Sequence, residues 1–225
     1  ASLGPDYSGA QSTTYSNGEV YTTDSNGFAS FPAFAPVTYV GGTAVPNQPG
    51  YGNAGFAVDP FDSNTAAVVT VPRTVQLSGT LRDEFGSPVA NAIVQLDGGY
   101  VYTDAAGHYS FTRNPGTYGL YVYGDNLPGL PAHWAFSKSG IVVNSDRVID
   151  LTLPSTVQVT VKVQDPDGNP VPGAQVVGVY AGGNNASLGP DYSGAQSTTY
   201  SNGEVYTTDS NGFAHFPAFA PVTYV

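Results

Sequence analysis

Cysteine and methionine are both missing from the 225 residues. Without thiols there is neither a disulfide framework nor a thiolate metal site. A chain with no sulfur side chain is also indifferent to oxidation, which suits an extracellular life. Basic residues are scarce, 6 Lys and Arg against 17 Asp and Glu, and the formal charge is −11. That balance argues against nucleic acid or an anionic membrane surface as a partner. No apolar run approaches the ~18 residues that span a bilayer, so no membrane insertion is expected. Helical spacing of apolar residues is absent too, and essentially no helix is predicted. The sequence holds no G-x-S-x-G elbow, no H-E-x-x-H pair and no Gly-rich phosphate loop leading into a helix, so nothing in it supports catalysis and no cofactor is expected.

What the chain does have is 28 Gly, 18 Pro and 16 Tyr, with many Val and Thr. This is the vocabulary of short strands punctuated by turns, and it predicts an all-β fold. It also has a long internal repeat. Residues 1–40 recur at 186–225 letter for letter, except that Ser30 becomes His215. Such a constant offset, 185 in the numbering, is the signature of a tandem array, of which this chain is expected to be a window holding one period and part of the next. A catalytic site is needed once, whereas a spacer or polymer gains from being copied.

A second, fainter repeat lies inside the first. Thr74-Val75-Gln76 matches Thr156-Val157-Gln158, and Gly86, Pro88, Val89, Ala92 and Val94 match Gly168, Pro170, Val171, Ala174 and Val176, all at an offset of 82. Asp104, Gly107 and Phe111 match Asp209, Gly212 and Phe216 at an offset of 105. The second copy therefore carries an insertion, placed in the loop 182–203. Two diverged versions of one domain are expected to alternate. The predicted boundaries are 1–72, the C-terminal part of a type 1 sandwich; 73–154, a complete type 2 sandwich; and 155–225, the N-terminal part of the next type 1 sandwich. Within 73–154 the alternation of Val75, Leu77, Gly79 and Leu81 predicts a half-buried first strand. Further strands are expected at 89–96, 100–103, 108–111, 119–123 and 141–153, with 124–140 as a loop. Within 1–72, strands are expected at 19–23, 28–31, 37–40 and 66–71, with 1–18 and 41–64 as loops and a short strand at 55–58.

The motif D-x-x-G-x-P-V-x-x-A-x-V followed by T-D-x-x-G and an aromatic strand occurs at 83–94 with 103–111, and again at 165–176 with 208–216. It resembles the carboxypeptidase regulatory-like, or transthyretin-like, β-sandwich family, akin to the repeats of bacterial surface adhesins. The resemblance implies seven-strand sandwiches of roughly immunoglobulin size, serving as stalks, spacers and accessory modules. The two type 1 pieces each lack strands that the complete copy has, which would leave unpaired sheet edges. Either the polypeptide is longer than this window, or neighbouring chains complete one another by strand addition. The redundancy of 1–40 and 186–225 favours the longer polypeptide.

Several residues invite a site reading. Asp165, Asp167 and Asn169 resemble the opening of a calcium loop, but Gly falls at the fourth place rather than the sixth and Val176 stands where an EF-hand has Glu. The simpler reading is a plain turn. Lys162 lies where related adhesin domains place the lysine of an isopeptide bond, yet the alternation puts it on the polar face. His108, His133 and His215 share no ligand spacing. Trp134 and Phe136, with Tyr51, Tyr192 and Tyr200 on predicted loops, form a possible contact surface for sugars or proteins, against which stands the reading of Trp134 as a plug of the sandwich core. Asn185-Ala186-Ser187 is an N-glycosylation sequon. The expectation that follows is a non-enzymatic, extracellular or cell-surface filament or stalk whose principal partner is itself, through head-to-tail repeats. The alternative is a glycan-binding or adhesive module of a large secreted protein.

Overall fold

The structure, a computed structural model, describes residues 20–34, 39–60, 63–200 and 204–220. It divides into two compact units, 1–73 and 74–225. No helix occurs among the described residues, and the fold is all-β.

In the second unit, seven strands build a sandwich. β3 (Val75–Arg82) pairs antiparallel with β6 (His108–Arg113). The opposite edge of β3 takes a parallel strand in two pieces, β9 (Arg147–Val148) and β10 (Leu151–Thr152). The facing sheet runs β5 (Gly99–Tyr102), β4 (Ile93–Leu96), β7 (Gly116–Asp125), β8 (His133–Val143). Leu77 and Leu81 from one sheet and Val94, Leu96, Leu120, Val122, Trp134 and Phe136 from the other are all buried in the shared core. The alternation predicted for β3 is the observed burial pattern.

β8 corrects the expectation of a loop at 124–140. Its inward residues Trp134, Phe136, Ile141 and Val143 do alternate, but Ser137 to Gly140 interrupt the sequence signal, with Gly140 at φ +79°.

The strand opposite β3 is broken at Ile149 for a visible reason. Ile149 turns its carbonyl over Gly79, where any Cβ would collide with it, and the Tyr109 hydroxyl donates to that oxygen at 2.5 Å. Asp150 covers the gap in the ladder by accepting from the Thr80 amide and hydroxyl, both at 2.8 Å. In the second copy the matching positions, Val161 for Gly79 at the offset of 82 and Ala214 for Tyr109 at the offset of 105, hold different residues. They face each other across β11 (Thr156–Lys162) and β16 (Phe213–Phe219), as Gly79 and Tyr109 do across β3 and β6.

The remaining elements of this unit are β12 (Gln175–Val176) and β15 (Tyr206–Thr207), which pair with each other, and a hairpin of β13 (Tyr180–Ser187) and β14 (Ser193–Tyr200). That hairpin occupies 182–200 of the segment 182–203 expected to be a loop; 201–203 lie outside the described residues. Its Gly, Ser, Thr and Asn content gives no apolar alternation, and its strand character comes from pairing with β8, a contact remote in sequence.

The motif residues prove to be a reused turn. Asp83 Oδ1 accepts the amides of Phe85 and Ser87. Asp104 does the same for Ala106 and His108, Asp209 for Asn211 and Phe213, and Asp24 for Asn26 and Phe28. In each, the Gly three residues after the Asp has positive φ, which only Gly adopts without strain. The Thr before the second Asp is buried: Thr103 Oγ1 donates to the Val89 carbonyl at 2.7 Å and accepts the Ala92 amide at 3.0 Å. Thr208 repeats this with Val171 and Ala174.

In the first unit, β1 (Val40–Ala44) and β2 (Ala54–Val58) form a two-stranded antiparallel hairpin, so part of the expected loop 41–64 is paired. Residues 66–71, expected as a strand, are in no ladder. Neither are 20–23 and 28–31, whereas 1–18, Glu19 and, of 37–40, positions 37 and 38 lie outside the described residues. The same sequence thus has two fates. Phe216 and Phe219 are 6% and 3% exposed beside β11, while their counterparts Phe31 and Phe34 are 42% and 74% exposed. The Asp24 turn forms in both copies because its bonds are local; the strands require a partner, and residues 1–19 contain no counterpart of β11. Strand propensity alone does not make a strand.

Candidate functional site

Three of the singled-out residues, Trp134, Phe136 and Tyr192, converge at the join between 73–154 and the residues that follow. The short connection is held directly: the Leu153 amide donates to the Arg82 carbonyl at 2.8 Å, and the Thr156 amide to Glu84 Oε1 at 3.2 Å. Three further ties are built from residues after 155.

The first is edge addition. β14 lies antiparallel on β8, from Gln196 opposite Ser137 to Tyr200 opposite His133, so the sheet of the complete sandwich continues through β14 into β13. An edge that would otherwise invite foreign strands is thereby occupied.

The second tie is the hairpin tip. A tight turn, closed by Leu188 N–H to Tyr192 O at 2.9 Å and Tyr192 N–H to Gly189 O at 3.0 Å, presents Leu188 and Tyr192 to the open end of the sandwich, where both are 0% exposed. The Tyr192 hydroxyl donates to the Leu120 carbonyl at 2.7 Å, in the sheet that β14 extends. The Leu188 carbonyl accepts from the Thr152 amide at 2.8 Å, in the opposite sheet. The tip therefore fastens both layers. Burial pushes the Tyr192 phenol far above its ordinary value, with smaller contributions from Tyr109 and Tyr121. Around it, Arg147 pairs with Asp191 at 2.8 Å and Lys138 donates to the Ser193 carbonyl at 2.5 Å.

The third tie is aromatic. Phe219, at the end of β16, packs against Trp134 with centroids 5.7 Å apart and against Phe136 at 5.3 Å. Trp134 and Phe136 are 0% and 1% exposed, and the Trp134 indole nitrogen has no hydrogen-bond partner among the described residues. Trp134, Phe136 and Tyr192 thus face the interior of this join. They form a protein contact, but not one open to a sugar.

The other singled-out residues fall elsewhere. Tyr51 is half-buried in the first unit with the Arg73 guanidinium 5.2 Å above its ring. Tyr200 ends β14 opposite His133 and Tyr180. Asn185 sits exposed at a bulge in β13 with φ +71°, an accessible position for its sequon. Asp165 Oδ1 accepts the amides of Asp167 and Asn169, and Oδ2 accepts the Asn169 side-chain amide at 2.9 Å. Those bonds, the Asn169 side chain first, hold its carboxyl below the usual range. Its carboxylate is engaged as in the other Asp turns, and no cluster of three potential metal ligands occurs among the described residues.

Sequence reasoning missed one surface. On the outer face of the second unit's larger sheet, Ile93 stands between Tyr102 and Tyr123, and Gln95 between Tyr100 and Tyr121. Tyr100, Tyr102 and Tyr121 are 60%, 58% and 41% exposed. The signal was present in the two Tyr-Val-Tyr triplets, 100–102 and 121–123, whose alternation sends the valines in and the tyrosines out.

No family description matches the chain, and neither does any curated protein. Among solved structures it is similar to the shaft pilin SpaA of Lactobacillus rhamnosus GG, at 12% identity over 68% of this chain and 88% of that one, with a TM-score of 0.25. A candidate adhesin of Bacteroides ovatus ATCC 8483 gives 13% identity, 68% and 69% coverage and a TM-score of 0.33. A streptococcal ancillary pilin gives 15%, 76%, 60% and 0.28. No TM-score here reaches 0.5, so the functional reading rests on the repeat and on the join.

Proposed function

We propose that the chain is a non-enzymatic structural repeat of an extracellular filament or surface stalk. Two sandwich types alternate in it, type 2 at 73–154 and type 1 divided between 155–225 and 1–72, and the pattern recurs at the offset of 185 that relates position 1 to position 186. The observation that carries the reading is β14 on β8: one module contributes strands to the sheet of the module before it. A connection through a single peptide would swing; one made of a shared sheet, a tip fastened to both layers and an aromatic cluster holds one angle. A contact repeated at one angle without closing generates a rod or helix. The long repeat supplies the copies. The sulfur-free, acidic composition suits the outside of a cell. The test is electron microscopy of a polypeptide carrying several full periods, which should show a filament of constant width with a regular repeat. Beads joined by flexible links would overturn it.

The tyrosine face favours a second reading, an adhesive module. Exposed tyrosines in a flat grid make good contact surface at low entropic cost. Saturable binding on a glycan array, abolished by combined Tyr100→Ala, Tyr102→Ala and Tyr121→Ala, would support it; unchanged binding, or none, would set it aside.

A further inference from the structure

The complete sandwich is a template for what the partial one lacks. β3 is paired along both edges, by β6 and by β9 with β10. Among the described residues its counterpart β11 is paired along one edge only, in a two-stranded sheet with β16. The consequence is visible in burial. Leu77 and Leu81 are 0% exposed, whereas the equivalent Val159 and Val163 are only half-buried.

The strand that would fill the free edge is identifiable. Pro72-Arg73-Thr74-Val75-Gln76 matches Pro154-Ser155-Thr156-Val157-Gln158 at the same offset of 82, and counting back from the prolines sets Ala67, Val69 and Val71 against Ile149, Leu151 and Leu153. The latter three are at most 1% exposed. In the first unit Ala67 is exposed, Val69 and Val71 are half-buried, Val68 is 95% exposed, and 65–71 are in no ladder. An alternating apolar segment without a partner and a strand edge with an uncovered apolar face are complementary.

We propose that residues 65–71 of one copy of this chain add in parallel to the free edge of β11 in a second copy, supplying the third strand of the β11–β16 sheet. The inference rests on the head-to-tail reading above and names the surface that the head-to-tail contact uses. Carrying the β3 register across, Leu77 opposite Arg147 and Leu81 opposite Leu151, sets Val159 opposite Thr65 and Val163 opposite Val69.

Three covarying positions support it. The break in the β9–β10 strand needs Gly79 beneath the Ile149 carbonyl, Tyr109 to satisfy that carbonyl and Asp150 to bridge the ladder. The type 1 sequence replaces all three together, with Val161, Ala214 and Val68. Val161 leaves no room for an inturned carbonyl, and Ala214 has no hydroxyl to satisfy one. Nothing there requires a break, so the added strand runs unbroken, Ala67 and Val69 inward over Val161 and Val163 and Val68 outward.

Because the chain has no native cysteine, the pairing is open to crosslinking without background. In the proposed register Thr160 lies opposite Ala66, as Ser78 lies opposite Val148. The double variant Ala66→Cys, Thr160→Cys is oxidised mildly and run on a non-reducing gel. A ladder at multiples of 23.3 kDa is expected, at least tenfold more abundant than in a control pairing Thr160→Cys with Val20→Cys. Ala66→Cys mixed with Thr160→Cys on separate chains should stop at dimers. A ladder no stronger than the control, or a disulfide formed only within one chain, overturns the proposal. As a second measurement, sedimentation velocity should show the cysteine-free chain associating as concentration rises and Val69→Lys remaining monomeric. A wild-type chain that stays monomeric at about 100 μM, weaker than any specific strand exchange of use in a filament, also overturns it. Either failure would leave the β8–β14 join intact, because that join lies within one chain and its own test is the filament of covalently linked periods.

Discussion

Tyr192 is the sharpest test of the join. Tyr192→Phe keeps the ring in its site and removes only the hydroxyl that donates to the Leu120 carbonyl, a residue with no exposed surface. A buried hydrogen bond contributes about 0.5–1.5 kcal/mol net, and an acceptor left dry costs about 1–3 kcal/mol, so the Phe variant should lose about 1–2 kcal/mol. Tyr192→Ala also empties the ring's site and should lose about 3–5 kcal/mol, the usual range for a buried aromatic. The assay is urea unfolding followed by fluorescence. The single tryptophan is Trp134, packed against Phe219 from across the join, so its emission reports this contact. With a slope of about 2 kcal/mol per M, the midpoint should fall by roughly 0.5–1 M for Phe and by roughly 1.5–2.5 M for Ala. Alkali supplies an independent check of sign. Burial raises the folded-state pKa of Tyr192, so its contribution is full below the ordinary phenol value of 10.0 and is lost as pH rises above that value. Each such phenol steepens the decline by up to about 1.36 kcal/mol per pH unit, and the Phe variant should decline less steeply. If Tyr192→Ala moves the midpoint by less than about 0.3 M, the hairpin tip does not hold the join and the argument for a rigid connection fails.

Other outcomes follow from the same geometry. Gly107→Ala should cost about 3 kcal/mol in urea titration, because a methyl at φ +78° also meets the Leu81 carbonyl, whereas Gly98→Ala, at φ +75° with open space around it, should cost about 1 kcal/mol; equal costs would refute the close approach. Thr103→Val keeps the shape but strips partners from the Val89 carbonyl and the Ala92 amide, and should cost about 2 kcal/mol by the same titration. Hydrogen exchange should find the amides of Phe213–Phe219 protected and those of 28–34 fast despite their shared sequence, and His215 in place of Ser30 gives the two peptides different masses. On the acid side, bonds chiefly from the His108 amide, the Asn169 side chain and the Phe213 amide lower the pKa values of Asp104, Asp165 and Asp209. Their contribution to stability is therefore present above about pH 4 and is lost as pH falls through their depressed values. A melting temperature flat from about pH 5 to 9 that drops below pH 4 is expected, with no drop refuting a role for the turn carboxylates.

Where a strand's partners lie close in sequence and its burial is one-sided, the chain announced it. β3 and β6 alternate cleanly, and the Asp turns carry their Gly three residues on, so most of 74–113 was legible. β8 was not, since the polar stretch Ser137 to Gly140 divides its apolar positions. The hairpin β13–β14 was hidden for a different reason: its sequence is polar, and what makes it a strand pair is the edge of β8. Its neighbour Trp134 was correspondingly legible as a large aromatic needing a site, but not as a residue enclosed by Phe219 from far along the chain. The opposite error arose at 66–71, where alternation is plain and the ladder is missing. Residues 28–34 and 213–219 mark the limit of local reading, because with one residue different they lie in two environments.

The exchange of Gly79 and Tyr109 for Val161 and Ala214 bears on how such a chain folds without tangling. Neighbouring domains of like sequence are prone to trade elements with one another while still incompletely folded. The strands β3 and β11 are not interchangeable: β11 inserted in place of β3 would drive Val161 into the Ile149 carbonyl and leave the Tyr109 ring without its glycine. In the array we propose, the strand that fits a given slot would belong to a module one full period away, so alternation would lengthen the distance over which a mistake must be made.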